Sequence, residues 1–262
     1  MFNQFLEKQT VFLTGAAKGI GFSVMLHLLE AGARVVATDI DEVRLKTDSD
    51  ALKNRYREQL FCYHLDLSQP ESVARRVAQM IEQHGQFDHL VCCAGVLHLG
   101  SIASMPLAQI EHTFNVNTFG TLAVMQALAE GMKARRSGSM VIVGSNAANT
   151  PRPNMGAYGA SKAALHMLVK SMGMELAEYG VRCNIVSPGS TRTDMQMQLW
   201  SEEYGEPQVI AGNLEQFRLG IPLRKMAEPQ DIARSVLFLL SEHAGHITLH
   251  DLRVDGGATL DN

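Results

Sequence analysis

Several short runs of this chain are apolar without interruption: Val11-Phe12-Leu13, Val35-Val36-Ala37, Leu90-Val91-Cys92 and Val141-Ile142-Val143. A strand with one wet face alternates apolar and polar residues. Unbroken runs belong to strands covered on both faces, as in a parallel sheet. Segments of helical period lie between the runs. Strands are expected at Thr10–Thr14, Arg34–Thr38, Leu60–Leu65, His89–Cys92, Ser139–Val143, Arg182–Val186 and Leu249–Val254. Helices are expected at Gly19–Ala31, Asp41–Arg57, Pro70–His84, Leu107–Arg135, Ala157–Tyr179 and Pro229–Ser241. The order implies an α/β fold: one doubly wound, seven-stranded parallel sheet with helices on both faces. No linker or repeat divides the 262 residues, so a single domain over 1–262 is expected. Hydrophobic residues at 46% are enough for one large core.

Ser190–Leu219 breaks the rhythm. It leaves the carboxyl end of the sixth strand, where open α/β sheets bind ligands, and is either a substrate lid or a solvated insertion.

Charge and cysteines exclude several classes. Twenty-three basic against 27 acidic residues give a net charge of −4, without the footprint of a nucleic-acid binder. His89–Ile110 and His112–Ala129 lack Asp, Glu, Lys and Arg apart from Glu111 between them, but glycines, Pro106 and polar residues make them buried elements rather than membrane spans. Met1–Gln9 does not read as a signal peptide. Cys62, Cys92, Cys93 and Cys183 form no CxxC pair, which suits reduced thiols in a cytoplasmic protein. His243, His246 and His250 have no carboxylate at ligand spacing, so no metal site is expected.

The first strand runs into Gly15, Gly19 and Gly21 and then a helix. Such glycines let the backbone approach a pyrophosphate, and the helix N-terminus offers free N–H groups to it. Asp39 ends the second strand. A carboxylate there accepts from the adenosine ribose hydroxyls and repels a 2′-phosphate, which favours NAD over NADP. Lys18, inside the loop, argues the other way. Asp39 can instead cap the next helix, with Asp41 as its rival. Asp66 either faces the adenine or makes a strand-end turn with Ser68 capping the helix at Pro70.

Tyr158 and Lys162 share one face of a helix, and Ser145 ends the fifth strand. All three fall near the carboxyl edge of the sheet. An ammonium about 4 Å from a phenol is worth roughly 4 kcal/mol at an effective dielectric of ~20, so Lys162 is expected to bring the Tyr158 pKa down from its ordinary value near ~10.

With these residues in view, the chain resembles the tyrosine-dependent short-chain dehydrogenases/reductases over essentially its whole length. The matching segments are TGAAKGIG (14–21), Asp39, Asp66, CAG (93–95), the NVNTFG run containing Asn117, Ser145, YGASK (158–162) and SPGSTRT (187–193). The resemblance implies a catalytic tetrad of Asn117, Ser145, Tyr158 and Lys162, in which Asn117 holds a water linking Lys162 to solvent. It implies that NAD is held by Gly15, Lys18, Gly19, Ile20, Gly21, Asp39, Asp66, Leu67, Ala94, Gly95, Tyr158, Lys162, Pro188, Gly189 and Thr191, with Thr193 on the nicotinamide amide. One departure stands out: Cys92 and Cys93 replace the asparagine-bearing turn usual before Ala-Gly in this family.

Further stretches narrow the resemblance. MGAYGASKAAL (155–165), SPGSTRTDMQ (187–196), EQFRLGIPL (215–223), EPQDIA (228–233), HITLHD (246–251) and VDGGATL (254–260) are similar to the 2,3-dihydro-2,3-dihydroxybenzoate dehydrogenases of catechol siderophore biosynthesis. Such an enzyme oxidises a cyclohexadiene diol carboxylate with NAD. An anionic substrate calls for a cation, and Arg152, between Ser145 and Tyr158, is the candidate, with Arg192 as the alternative. Met195 and Gln196 are candidate lid contacts to the flat ring, or one side of a plain amphipathic helix. A 3-oxoacyl-carrier-protein reductase using NADPH and a non-catalytic dinucleotide sensor are the rival readings. Asp39 opposes the first, and the Ser145–Tyr158–Lys162 set opposes the second. Ala157, Ala160 and Ala164 read as a small-residue stripe for a partner helix, and a homotetramer is expected.

Overall fold

A computed structural model describes residues 4–260. Seven parallel strands form one sheet: β1 (Thr10–Thr14), β2 (Arg34–Asp39), β3 (Leu60–His64), β4 (His89–Cys92), β5 (Gly138–Val143), β6 (Val181–Pro188) and β7 (Asp251–Val254). Their spatial order is β3-β2-β1-β4-β5-β6-β7. β1 is paired to β2 on one side and β4 on the other, so the winding reverses between β1 and β4. A reversal of this kind opens a crevice beyond the strand ends.

The unbroken apolar runs do what both-face burial demands. In β1, Val11 and Leu13 pack into a layer with Val24, Met25 and Leu28 of α1 (Gly19–Glu30), Leu45 of α2 (Glu42–Tyr56) and Val236 of α9 (Pro229–Leu240). Phe12, between them, points into the opposite layer. There it meets Phe87 edge-on at 5.1 Å, beside Val77 of α3 (Pro70–His84), Met125 of α5 (Thr121–Arg135) and Val169 of α6 (Gly156–Ala177).

Four expectations are corrected. Leu107–Arg135 is not one regular helix. α4 (Leu107–Phe114) passes through a π-helical turn at Asn115–Gly120 before α5 begins. The wider turn lets Gly120 press against the loop after β3, where an added Cβ would stand 2.2 Å from the Leu67 carbonyl oxygen. β7 begins at Asp251 rather than Leu249, because Leu249 takes a left-handed conformation with φ +61. Ser190–Leu219 is not an irregular loop, since it contains α7 (Asp194–Met197), α8 (Glu206–Ala211) and a 3-10 turn at Leu214–Gln216. Arg192 ties this segment down, with Nε on Glu228 at 2.7 Å and its fork on both oxygens of Glu206. Ala157 faces inward and is buried, so the exposed side of α6 is carried by Ala160, Met167 and Met174 instead. No helix among the described residues is long and apolar enough to cross a membrane.

Gly120→Ala is expected to destabilise the protein by about 1–3 kcal/mol, the range for overpacking a fixed contact. A urea midpoint unchanged from the parent would show that the π turn is not held against Leu67.

Candidate active site

A cavity of about 540 Å³ opens over the carboxyl ends of β1, β4, β5 and β6. Every candidate site residue named from the sequence lies on its wall except Asn117, which is fully buried behind it, and Arg192, the alternative cation.

The β1–α1 loop is built for close approach. Gly15 has φ +70, and a Cβ on it would sit 2.4 Å from the Ala94 backbone nitrogen. A Cβ on Gly21 would sit 1.9 Å from the Gly15 carbonyl oxygen. The N-cap of α1, Lys18, makes no side-chain cap, so its side chain claims none of the amides at the helix start. Donors without side-chain partners, backed by bare glycine backbone, fit a pyrophosphate.

Asp39 is held rigidly at the next strand end. Its two oxygens accept from the Ala17 N–H at 2.9 Å and the Asp41 N–H at 3.0 Å. The helix cap is Asp41, which accepts from the Arg44 N–H at 3.0 Å. Asp39 therefore keeps lone pairs for a ligand. Lys18 meets Asp194 at 3.7 Å, and Arg44 shares the same carboxylate at 3.3 Å. Asp194 thus answers the cation that argued for a 2′-phosphate. Asp66 makes the turn with Ser68, accepting its N–H at 2.8 Å, and also lines the cavity beside Leu67. Ser68 does not cap α3; Gln69 occupies that position.

The reactive group sits where β5 ends and α6 begins. Burial pushes the Tyr158 phenol up from its ordinary value, while a hydrogen bond with Ser145 and the charge of Arg152 pull it down. The expected direct lowering by Lys162 is corrected. The Lys162 ammonium donates to the Val143 carbonyl at 2.9 Å and lies 6.0 Å from the centroid of the Tyr158 ring. Burial brings the Lys162 pKa down to about 8, partly offset by Cys93 and Cys92.

Asn117 is committed to its neighbours. Its Oδ1 accepts from Val96 N–H at 2.8 Å, and its Nδ2 donates to the Val96 carbonyl and the Ser161 hydroxyl, both at 3.0 Å. It locks the β4 turn, where the family's asparagine is replaced by Cys93, against α6. A Cβ on Gly95 would lie 3.3 Å from Asn117 Oδ1 and 3.6 Å from Lys162 Nζ, so the two polar groups face one small space.

Arg152 enters the cavity wall and donates to Asn146 Oδ1 at 2.9 Å. Asn146 in turn donates to Asp255 at 3.1 Å. Arg192 cannot share this role, because Glu206 and Glu228 hold its guanidinium. Met195 and Gln196 line the cavity from α7, and Thr193 caps that helix. Two contributors were not legible from sequence. His166 Nε2 accepts from the Ser145 N–H at 3.4 Å, and its Nδ1 faces Asp251 at 3.4 Å, so the ring stands between the serine and a carboxylate. One helical turn after Lys162 was the only signal. The other, Arg218, reaches the cavity from the far end of the Ser190–Leu219 segment.

A family model described as Enoyl-(Acyl carrier protein) reductase matches residues 15–259. A solved structure described as a short chain dehydrogenase/reductase family protein is 34% identical with a TM-score of 0.82, covering 96% of this chain and 97% of the other. The chain belongs to the short-chain dehydrogenase/reductase family. It is 64% identical over 257 residues, 98% of either chain, to the Vibriobactin-specific 2,3-dihydro-2,3-dihydroxybenzoate dehydrogenase of Vibrio cholerae. It is 48% identical, over 97% of either chain, to the 2,3-dihydro-2,3-dihydroxybenzoate dehydrogenase of Bacillus subtilis. A 7 alpha-hydroxysteroid dehydrogenase solved with NADH and 7-oxo glycochenodeoxycholic acid is 28% identical with a TM-score of 0.87, covering 99% of this chain and 98% of the other.

Gly21→Ala is expected to weaken dinucleotide binding by at least about tenfold, because the new methyl displaces the loop that carries the donors. Lys18→Ala, whose charge Asp194 already answers, should change it by less than about twofold. Equal effects in a calorimetric titration would contradict this account of the loop.

Proposed function

We propose that the protein oxidises 2,3-dihydro-2,3-dihydroxybenzoate to 2,3-dihydroxybenzoate with NAD, a step of catechol siderophore biosynthesis. The observation that carries this reading is the position of Arg152. Its guanidinium lies in the wall of the same cavity as Ser145, Tyr158 and Lys162, and its one hydrogen-bond partner there is the neutral Asn146. A half-buried cation without a carboxylate partner suits an anionic substrate. The 64% and 48% identical relatives carry that activity in their names.

Members of this family use a nicotinamide dinucleotide, and Asp39 makes NAD the cofactor of choice here. Its carboxylate, fixed by two backbone amides, accepts ribose hydroxyls and opposes a 2′-phosphate. The glycine loop, Asp66, Leu67, Ala94, Gly95, Pro188, Gly189, Thr191 and Thr193 form the remaining cradle. Bound NAD supplies the hydride acceptor.

Ser145 holds the substrate hydroxyl. Tyr158 Oη takes the O–H proton while the hydride leaves the same carbon. The C–H and O–H bonds break, and a C=O bond forms. The resulting ketone tautomerises to the catechol, with the ring proton lost and the oxygen protonated, so aromaticity pulls the sequence toward oxidation. Lys162 stabilises the developing phenolate. With a pKa of about 8 it also passes a proton onward, toward water held against the open lone pair of Asn117 Oδ1. Met195 and Gln196 border the ring from the lid. The reaction is assigned to the cytoplasm, where cysteines that form no disulfide, as among the described residues here, stay reduced.

The functional test is a steady-state comparison of NAD and NADP with the dihydrodiol acid. Turnover with a clear preference for NAD is expected, and Tyr158→Phe should abolish it while leaving NAD binding near normal. Preference for NADP, or more than about a tenth of the activity in Tyr158→Phe, contradicts the assignment.

The chain is further proposed to work as a homotetramer. Met167 and Met174 are 66% and 68% exposed on α6, and Leu107 and Phe119 on the α4 side are 66% and 47% exposed. These faces are more apolar than one solvated helix surface requires. Light scattering should give four times the 28.7 kDa chain mass. A monomer at micromolar concentration contradicts the proposal.

A further inference from the structure

The lid ends in a tight turn that fixes Arg218. The Asn213 N–H donates to the Arg218 carbonyl at 2.9 Å, and the Arg218 N–H returns to the Asn213 carbonyl at 2.8 Å. The Asn213 side chain accepts from Gln216 N–H at 3.1 Å, and Phe217 takes a left-handed conformation with φ +55. At the base of the turn the chain passes so close to itself that a Cβ on Gly212 would stand 2.6 Å from the Arg218 carbonyl oxygen. The backbone of Arg218 is therefore placed before any ligand arrives.

Its side chain reaches the wall of the large cavity. Nη1 donates to the Tyr204 hydroxyl at 3.0 Å, and Nη2 lies 3.9 Å from the Met155 sulfur. Nε is buried and has no partner among the described residues. Met155 packs on Tyr158, so the guanidinium stands over the platform of the reactive phenol. Met155 also donates its N–H to the Arg152 carbonyl at 3.2 Å, which makes the two arginines neighbours. Burial lowers the Arg152 pKa, and the charge of Arg218 is the next largest cause. Among the described residues no carboxylate is ion-paired with either guanidinium. Two like charges pressed together beside an unpaired donor are a poor structural device and a good anion receptor.

We propose that Arg152 from the scaffold and Arg218 from the lid form one two-guanidinium site for the ring carboxylate of the substrate. The inference rests on the functional reading above and extends it. Substrate class is read jointly by the lid and the scaffold, and neutral ring diols are disfavoured because they cover both half-buried cations without supplying an anion. Tyr204 is a positioning residue in this arrangement, holding Nη1 while Nη2 rests on the soft Met155 sulfur, a weak partner that a carboxylate displaces.

The probes are 2,3-dihydroxybenzoate and its neutral counterpart catechol, titrated calorimetrically into the full-length protein with NADH. Arg218→Gln should weaken 2,3-dihydroxybenzoate by about 10- to 100-fold, the range for a hydrogen bond to a charged group, and change catechol by less than about twofold. Arg218→Lys should recover part of the loss, and Tyr204→Phe should weaken the acid a few-fold through the freed fork. With the dihydrodiol acid, Arg218→Gln should act mainly through KM. Equal weakening of acid and catechol by both Gln and Lys, or no weakening of either, overturns the two-arginine site. If the parent protein fails to oxidise the dihydrodiol acid while Arg218→Gln still separates acid from catechol, the functional reading falls and the carboxylate site stands.

Discussion

The site depends on keeping a lysine charged where it is costly to do so. Lys162 is 4% exposed, and burial has already brought its pKa down to about 8. What holds the ammonium is one carbonyl, Val143, at the last residue of β5. That hydrogen bond links the sheet edge to α6 and sets the height of Tyr158 one helical turn earlier. The same strand end delivers Ser145, whose N–H rests on His166, one turn after Lys162. A helix gripped before and after the turn that carries Tyr158 leaves little freedom to the phenol, as the proposed acid–base chemistry at a fixed distance requires.

The rest of the architecture makes that placement possible. The winding reversal between β1 and β4 opens the crevice, and the π turn brings Asn117 through the back of it. Asn117 then pins Val96 on one side and Ser161 on the other. The β4 turn has lost the family's asparagine to Cys93, so this buried clasp carries more of the burden of holding Gly95 beneath a dinucleotide. The Ser190–Leu219 segment, proposed above as a lid, contributes through charge. Arg192 anchors it, Asp194 joins it to Lys18 and Arg44, and Arg218 reaches back into the cavity.

Much of this was legible in the sequence because the signals were local and periodic. Four unbroken apolar runs specified a doubly covered sheet, and all seven expected strands appear, with ends displaced by at most two residues. The glycine loop, Asp39 and the Ser145–Tyr158–Lys162 spacing identified one edge of that sheet. The illegible parts depend on contacts between distant segments. The π turn in Leu107–Arg135 follows from Gly120 meeting Leu67, which no helical period encodes. The helices of Ser190–Leu219 are short, and what fixes them is Arg192's ion pairs together with the burial of Val209 against Ile221 and Met226, contacts with residues outside the helices. Arg218 lies 66 residues from Arg152, and only the folded lid sets them against one cavity wall. The direction of the Tyr158 shift was misjudged because spacing reveals a nearby cation but not the desolvation that both groups share.

The proposed mechanism requires that, with the dinucleotide bound, the Lys162 charge brings down the pKa of the Tyr158 phenol that burial otherwise pushes up. The direct test is a spectrophotometric titration of the Tyr158 phenolate in the NAD complex, with Tyr158→Phe as the blank, in the parent protein and in Lys162→Met. The account predicts a midpoint below the ordinary tyrosine value of about 10 in the parent, and a midpoint at or above it when the ammonium is gone. The same midpoint in both proteins would contradict it.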